Sequence, residues 1–233
     1  MIEKIIYDHF YDLKSQYSRL HLTRNKNREY SVSGILVFSA SYNDVIIEDK
    51  FEICIDIPMQ YPSVPPSVKE TGGRIFSSFH VNPEINTLCL GAPLEVKRKF
   101  LAEKNLVGFV EKLIIPFLYS YSYYEKNQRV PFGELSHGTR GILDYYKELF
   151  QTNNSQAVLN FLKLLISNSY RKNDLCPCRS GKPLEKCHAD ILIDIIKIHS
   201  RHDIIREYEH LNMLIQESRK KFFQNISHAF LQE

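Results

Sequence analysis

Four prolines fall within nine residues, at Pro58, Pro62, Pro65 and Pro66 of the run Ile57-Pro58-Met59-Gln60-Tyr61-Pro62-Ser63-Val64-Pro65-Pro66. Each proline fixes its own φ and lacks a backbone donor. Such a run is excluded from a helix interior and from the middle of a sheet. It is a stiff connector, and it separates an N-terminal part of the chain from a longer C-terminal part.

Before it, residues 2–20 place Ile2, Ile5, Ile6, Phe10, Leu13, Tyr17 and Leu20 at helical spacing, which predicts an opening helix. Residues 21–29 are polar and basic and read as a loop. From Tyr30 to Ile57 the period changes to two. Leu36 and Phe38 alternate with Ile35, Val37 and Ser39, while Phe51, Ile53, Ile55 and Ile57 share one face and Glu52, Cys54 and Asp56 the other. Asn43-Asp44 is a turn signal between them, so an antiparallel meander is expected.

After it, Val68–Ile75 predicts one short strand and residues 76–100 look irregular. Helices are expected over about 101–119 and 140–150, then, beyond the polar break 151–155, over 157–167, 189–199 and 203–230. The expected fold class is α+β, with one domain over 1–150 and a small α-helical region over 156–233. The chain has 233 residues, 43% of them hydrophobic and 24% charged, a composition that can bury a core. A net charge of +3 argues against nucleic acid as the main partner. No apolar run reaches the ~20 residues of a membrane span, and the start carries no signal-peptide pattern. A cytoplasmic location is therefore expected.

Three of the five cysteines crowd together in Cys176-Pro177-Cys178 and Cys187-His188. Three thiols and an imidazole within thirteen residues supply the ligands of a closed tetrahedral Cys₃His site, and soft thiolates favour zinc. Gly181 and Pro183 give the intervening loop a turn that brings both ends to one ion. The alternative is four unrelated side chains in a loop. The segment 174–188 resembles the SEC-C motif, whose usual form is C-x-C-x-S-G followed by C-C or C-H. That resemblance implies structural zinc and a docking role.

Cys89 lies in Leu88-Cys89-Leu90, downstream of Phe79-His80-Val81-Asn82. An exposed thiol on a rigid loop, with an amide donor a few residues away, is an arrangement suited to accepting an acyl group. The alternative is a buried thiol between two leucines. Pro58-x-x-Tyr61-Pro62-x-x-Pro65-Pro66-x-Val68, then His80-x-Asn82, then Leu88-Cys89-Leu90, resembles the ubiquitin-conjugating enzymes, with P-x-x-Y-P-x-x-P-P-x-V, H-P-N and I-C-L. The resemblance covers roughly residues 1–150 and implies a UBC-like antiparallel meander with flanking helices.

It implies Cys89 as the thioester-forming residue, Asn82 as a stabiliser of the oxyanion or of the loop, His80 as a structural residue of that loop, and a cis bond at Tyr61-Pro62. Val81 stands where the family has proline, the His80 to Cys89 spacing is one residue short, and Gly91-Ala92-Pro93 replaces the usual sequel. This pattern is that of divergent bacterial relatives, often encoded in antiphage defence operons. The implied partners are a ubiquitin-like modifier, an activating enzyme and a protein target.

In the later loop, Glu134 or His137 of Gly133-Glu134-Leu135-Ser136-His137-Gly138 has the chemistry to deprotonate an incoming lysine. The competing reading there is a capped turn. For the whole chain, two alternatives remain open: an inactive UBC-like adaptor, and a zinc-knuckle adaptor for ribosome or nucleic acid.

Overall fold

The computed structural model describes residues 2–76, 79–82, 84–131, 138–169, 171 and 173–230. The architecture is mixed α and β: a four-stranded antiparallel sheet in the order β1-β2-β3-β4, a separate two-stranded β5-β6 pair, and helices before and after them. Contacts divide it into two compact units, Met1–Gly91 with Glu95–Leu135, and Ala92–Leu94 with Ser136–Glu233.

The first unit opens with helix α1 (Ile2–Gln16), which buries Ile6 and Leu13. The sheet follows as β1 (Leu20–Arg24), β2 (Tyr30–Tyr42), β3 (Val45–Ile57) and β4 (Ser67–Glu70). β2 and β3 pair along their full length, from Tyr30 opposite Ile57 to Tyr42 opposite Val45. Asn43 and Asp44 form the two-residue turn, both at positive φ (47° and 63°), as a hairpin matched to strand twist requires. Period two decides the burial: Val32, Leu36 and Phe38 on β2, and Phe51, Ile53 and Ile55 on β3, face the core.

The sequence pattern of 21–29 predicts a loop, but Leu20–Arg24 is a strand paired to β2. Its alternation is masked by the polar residues of an edge strand, which has only a short stretch to bury. Gly34 explains how β1 fits. A Cβ there would lie 2.2 Å from the Arg19 carbonyl oxygen, and its φ is +138°. Only glycine allows this approach of the two backbones.

The proline run is a connector, as its chemistry demands, and the Tyr61–Pro62 bond is cis. Two further differences concern the chain after it. Residues 76–100 are not wholly irregular: they hold the hairpin β5 (Val81–Asn82) and β6 (Thr87–Leu88), and α2 (Pro93–Glu103) begins. The helix expected over 101–119 is segmented as α3 (Leu106–Phe109), a π-turn (Val110–Ile114) and α4 (Ile115–Asn127). Pro116 sits in the first turn of α4. Its missing donor breaks the regular ladder at that point, which accounts for the wide turn just before it.

The second unit contains α5 (Gly138–Leu149), α6 (Ser155–Ser167), the cysteine-bearing segment with a short 3₁₀ turn at Leu184–Lys186, α7 (Ala189–Ile198) and α8 (Arg201–Phe230). Asn154 caps α6, its side chain accepting hydrogen bonds from the amides of Gln156 and Ala157. The division of contacts falls at 135–136, whereas the sequence pattern sets it at the polar break 151–155. The reason is α5: its apolar face, with Leu143 and Tyr146, belongs to the core that Val158, Phe161, Leu192 and Leu211 complete. No helix among the described residues is long and apolar enough to cross a membrane.

Candidate functional site

Cys89 leaves the β5-β6 hairpin at its C-terminal end. Val81 pairs with Leu88 and Asn82 with Thr87. One step further out, the Cys89 amide donates to the His80 carbonyl at 2.7 Å, which extends the ladder by one bond. At the tip, the Asn86 amide donates to the Asn82 carbonyl at 2.8 Å, and Asn86 takes a positive φ of 54°. His80 is itself left-handed, with φ 47°. The chain thus turns sharply at His80 and enters β5.

The residue before that turn is anchored. Phe79 is buried, and its ring meets Tyr121 at 4.9 Å, Tyr124 at 5.2 Å and Phe117 at 5.9 Å on α4. Two tyrosines of the run after Pro116, Tyr121 and Tyr124, therefore pack against the residue that leads into the hairpin. The Arg74 guanidinium, shared between Asp49 and Glu125, ties the start of the same loop to β3 and α4. Burial alone would raise the Asp49 carboxyl. Hydrogen bonds from Arg74, Ser122 and the Lys50 amide more than offset it and hold the group at about 2.

At Cys89 burial and two neighbouring groups set the electrostatics. The thiol is half-buried, and desolvation pushes its pKa above the ordinary value. The Gly91 amide donates to the sulfur and works in the opposite sense, favouring thiolate. The Glu95 carboxylate, in the first turn of α2 and paired with Lys99 at 2.7 Å, raises the thiol further by charge repulsion. Asn82 Nδ2 donates to Thr87 Oγ1 at 2.9 Å, so its observed engagement is across the hairpin. Cys89, His80 and Asn82 are therefore brought together on one short ladder. Glu134 and His137 lie outside the described residues.

Sequence reasoning missed Thr87, Gly91 and Glu95. Gly91 carried a signal: a glycine two residues after the cysteine, at φ +142°, where a Cβ would lie 2.8 Å from Glu95 Oε2. Thr87 carried none, because its role depends on register.

The second constellation is compact. One donor atom from each of Cys176, Cys178, Cys187 and His188 lies within 4.8 Å of the others. His188 Nδ1 is 3.2 Å from Cys176 Sγ and 3.1 Å from Cys187 Sγ, and the Cys178 and Cys187 sulfurs are 3.5 Å apart. The loop closes through the Cys176 amide donating to the Lys182 carbonyl at 3.0 Å and the Arg179 amide to the Cys176 carbonyl at 3.1 Å. Arg179 and Gly181 take the positive φ values (65° and 74°) that turn the chain back. The Ser180 hydroxyl sits 3.2 Å from Cys178 Sγ. These separations fit one tetrahedral ion with metal–sulfur distances of about 2.3 Å, and all four positions would be filled by protein.

Comparison with known protein families matches residues 173–190 to the SEC-C motif, a zinc-binding type, over the same Cys₃His cluster. No curated protein and no solved structure matches the chain.

Proposed function

We propose that the chain is a ubiquitin-like conjugating enzyme that carries a modifier as a thioester on Cys89. The observation that carries this reading is the bond from the Cys89 amide to the His80 carbonyl, which fixes the thiol at the exit of a braced hairpin with the Gly91 amide directed at the sulfur. The chain order supports it: helix, three strands, proline connector, the fourth strand of the same sheet, cysteine-bearing hairpin, helices, an order that resembles the UBC fold.

The chemistry runs in two balanced steps. The Cys89 thiolate attacks the thioester carbonyl joining the modifier to its activating enzyme. A new C–S bond forms and the activating enzyme's thiolate leaves. A target amine then attacks the Cys89 thioester, the C–N bond forms, the C–S bond breaks, and the amine's surplus proton must be taken up. The Gly91 amide stabilises Cys89 sulfur as nucleophile and again as leaving group. Asn82 holds the loop through Thr87. Glu134 and His137 remain the proposed acceptors of the amine proton. Cys176, Cys178, Cys187 and His188 would hold zinc as a closed structural site, which offers no open position for a substrate. A role for the pathway in bacterial antiphage defence is part of the same proposal.

The test is a gel with and without thiol after incubation with a cognate activating enzyme, its modifier and ATP. A thiol-sensitive adduct that Cys89→Ala abolishes is the expected result; an adduct surviving Cys89→Ala would sink the reading. The upward push on the Cys89 thiol favours one second reading, an inactive adaptor that binds modifier or activating enzyme non-covalently. Binding with no adduct, where a control enzyme is charged, would select it.

A further inference from the structure

Both nitrogens of the His188 imidazole are engaged. Nδ1 faces the thiols of Cys176 and Cys187, and Nε2 lies 3.0 Å from the carbonyl oxygen of Phe150, at the end of α5. The ring itself packs 5.0 Å from Phe161 of α6 and 6.2 Å from Phe150, and those two phenylalanines stack at 4.1 Å. One side chain thus touches the ligand cluster, α5's end and α6 together.

The cysteines are not peripheral either. Cys176 is 3% exposed and shares the apolar core with Tyr146, Phe150, Phe161, Leu184 and Leu192. Without a metal, this core would bury polar donors that serve one another poorly, at a cost. The connection continues past the phenylalanines. Phe150 stacks on Tyr146 at 5.8 Å, and the Tyr146 hydroxyl donates to Glu207 Oε2 on α8, a carboxylate oxygen that also lies 3.1 Å from His199 Nε2.

We propose that a metal held by Cys176, Cys178, Cys187 and His188 is the keystone of the helical unit, locking α5 and α6 through His188, and does not merely close the 173–190 loop. The physical link is direct. An Nε2–H donated to the Phe150 carbonyl fixes the tautomer that leaves the Nδ1 lone pair for the ion. Metal at Nδ1 withdraws electron density and makes Nε2–H the stronger donor. Metal affinity and the docking of α5 on α6 then share free energy, so removing one weakens the other. This inference stands apart from the chemistry at Cys89.

Hydrogen exchange of the full zinc-loaded chain, read by mass spectrometry before and after chelation with metal content assayed, tests it. Stripping the metal is expected to speed exchange about tenfold or more in Gly138–Leu149 and Ser155–Ser167, while β2 and β3 keep their protection. Loss of the metal with acceleration confined to 173–190 overturns the proposal. His188→Cys separates ligation from the Phe150 bond, because a four-thiolate site keeps the ion but has no Nε2. Cobalt(II), whose thiolate charge-transfer absorption reports binding, should load into this variant while α5 and α6 still exchange faster than in the loaded wild type. Wild-type protection in a cobalt-loaded His188→Cys chain overturns the proposal, and a variant that fails to load serves as a second metal-free comparison read by the same criterion.

Discussion

Asn82 Nδ2 donates to Thr87 Oγ1 at 2.9 Å across the β5-β6 hairpin, and Thr87 is 5% exposed. An asparagine near a nucleophile has two possible employments, donor to a developing oxyanion or brace of the loop. Here its amide is observed in the second. Asn82→Ala and Thr87→Val should therefore behave alike, each costing about 1 kcal/mol in chemical denaturation. The double variant should cost little more than either single one. Both should slow adduct formation on Cys89 to a similar degree. A rate loss of about a hundredfold for Asn82→Ala, with Thr87→Val near wild type, would assign Asn82 to the oxyanion.

Gly34 sits where β1 and β2 meet, with the Arg19 carbonyl 2.2 Å from the place a Cβ would occupy. The obstacle is backbone, which cannot swing aside, and the φ of +138° adds strain. Gly34→Ala is expected to lose about 3 kcal/mol, the scale of strain at a special backbone conformation. Urea midpoints of wild type and variant measure it.

Asp49 is held at about 2 by Arg74, Ser122 and the Lys50 amide, below its usual 3.8. Because the folded value is depressed, the stabilisation is complete above the unfolded value and is lost as pH falls through the folded one. Unfolding of wild type should accordingly steepen between those two values. Asp49→Asn should flatten that limb and cost about 2 kcal/mol near neutrality. Circular dichroism melts across the acid range decide it.

At Cys89 burial and Glu95 push the thiol up while the Gly91 amide pulls it down. Site-resolved alkylation of the zinc-loaded chain should be slow at neutral pH and rise steadily above the ordinary thiol value of 9.0. Glu95→Gln removes one of the raising causes and should shift that profile to lower pH. An unchanged profile would remove Glu95 from the site.

The parts of the fold legible in the sequence were those with a local cause. Period two in 30–57, the Asn43-Asp44 turn and the proline connector each arise from residues a few positions apart. The Cys₃His cluster was legible for the same reason, since a ligand set carries its own spacing. The features that escaped depend on partners far along the chain. Leu20–Arg24 is a strand because β2 accepts it, and Phe79 anchors His80 only because α4 supplies Phe117, Tyr121 and Tyr124. Likewise α5 is helical by pattern, yet only its packed neighbours assign it to the second unit.

The most direct measurement of a thioester on Cys89 is the chemistry of the adduct in Cys89→Ser. A serine oxygen in the same place, held by the same amide-to-His80 bond, would receive the modifier as an oxygen ester. With activating enzyme, modifier and ATP, wild type should give an adduct cleaved by thiol. Cys89→Ser should give, more slowly, one that survives thiol and is cleaved by hydroxide. An adduct of identical thiol sensitivity in both proteins, or one mapped to another residue, would contradict the assignment of Cys89.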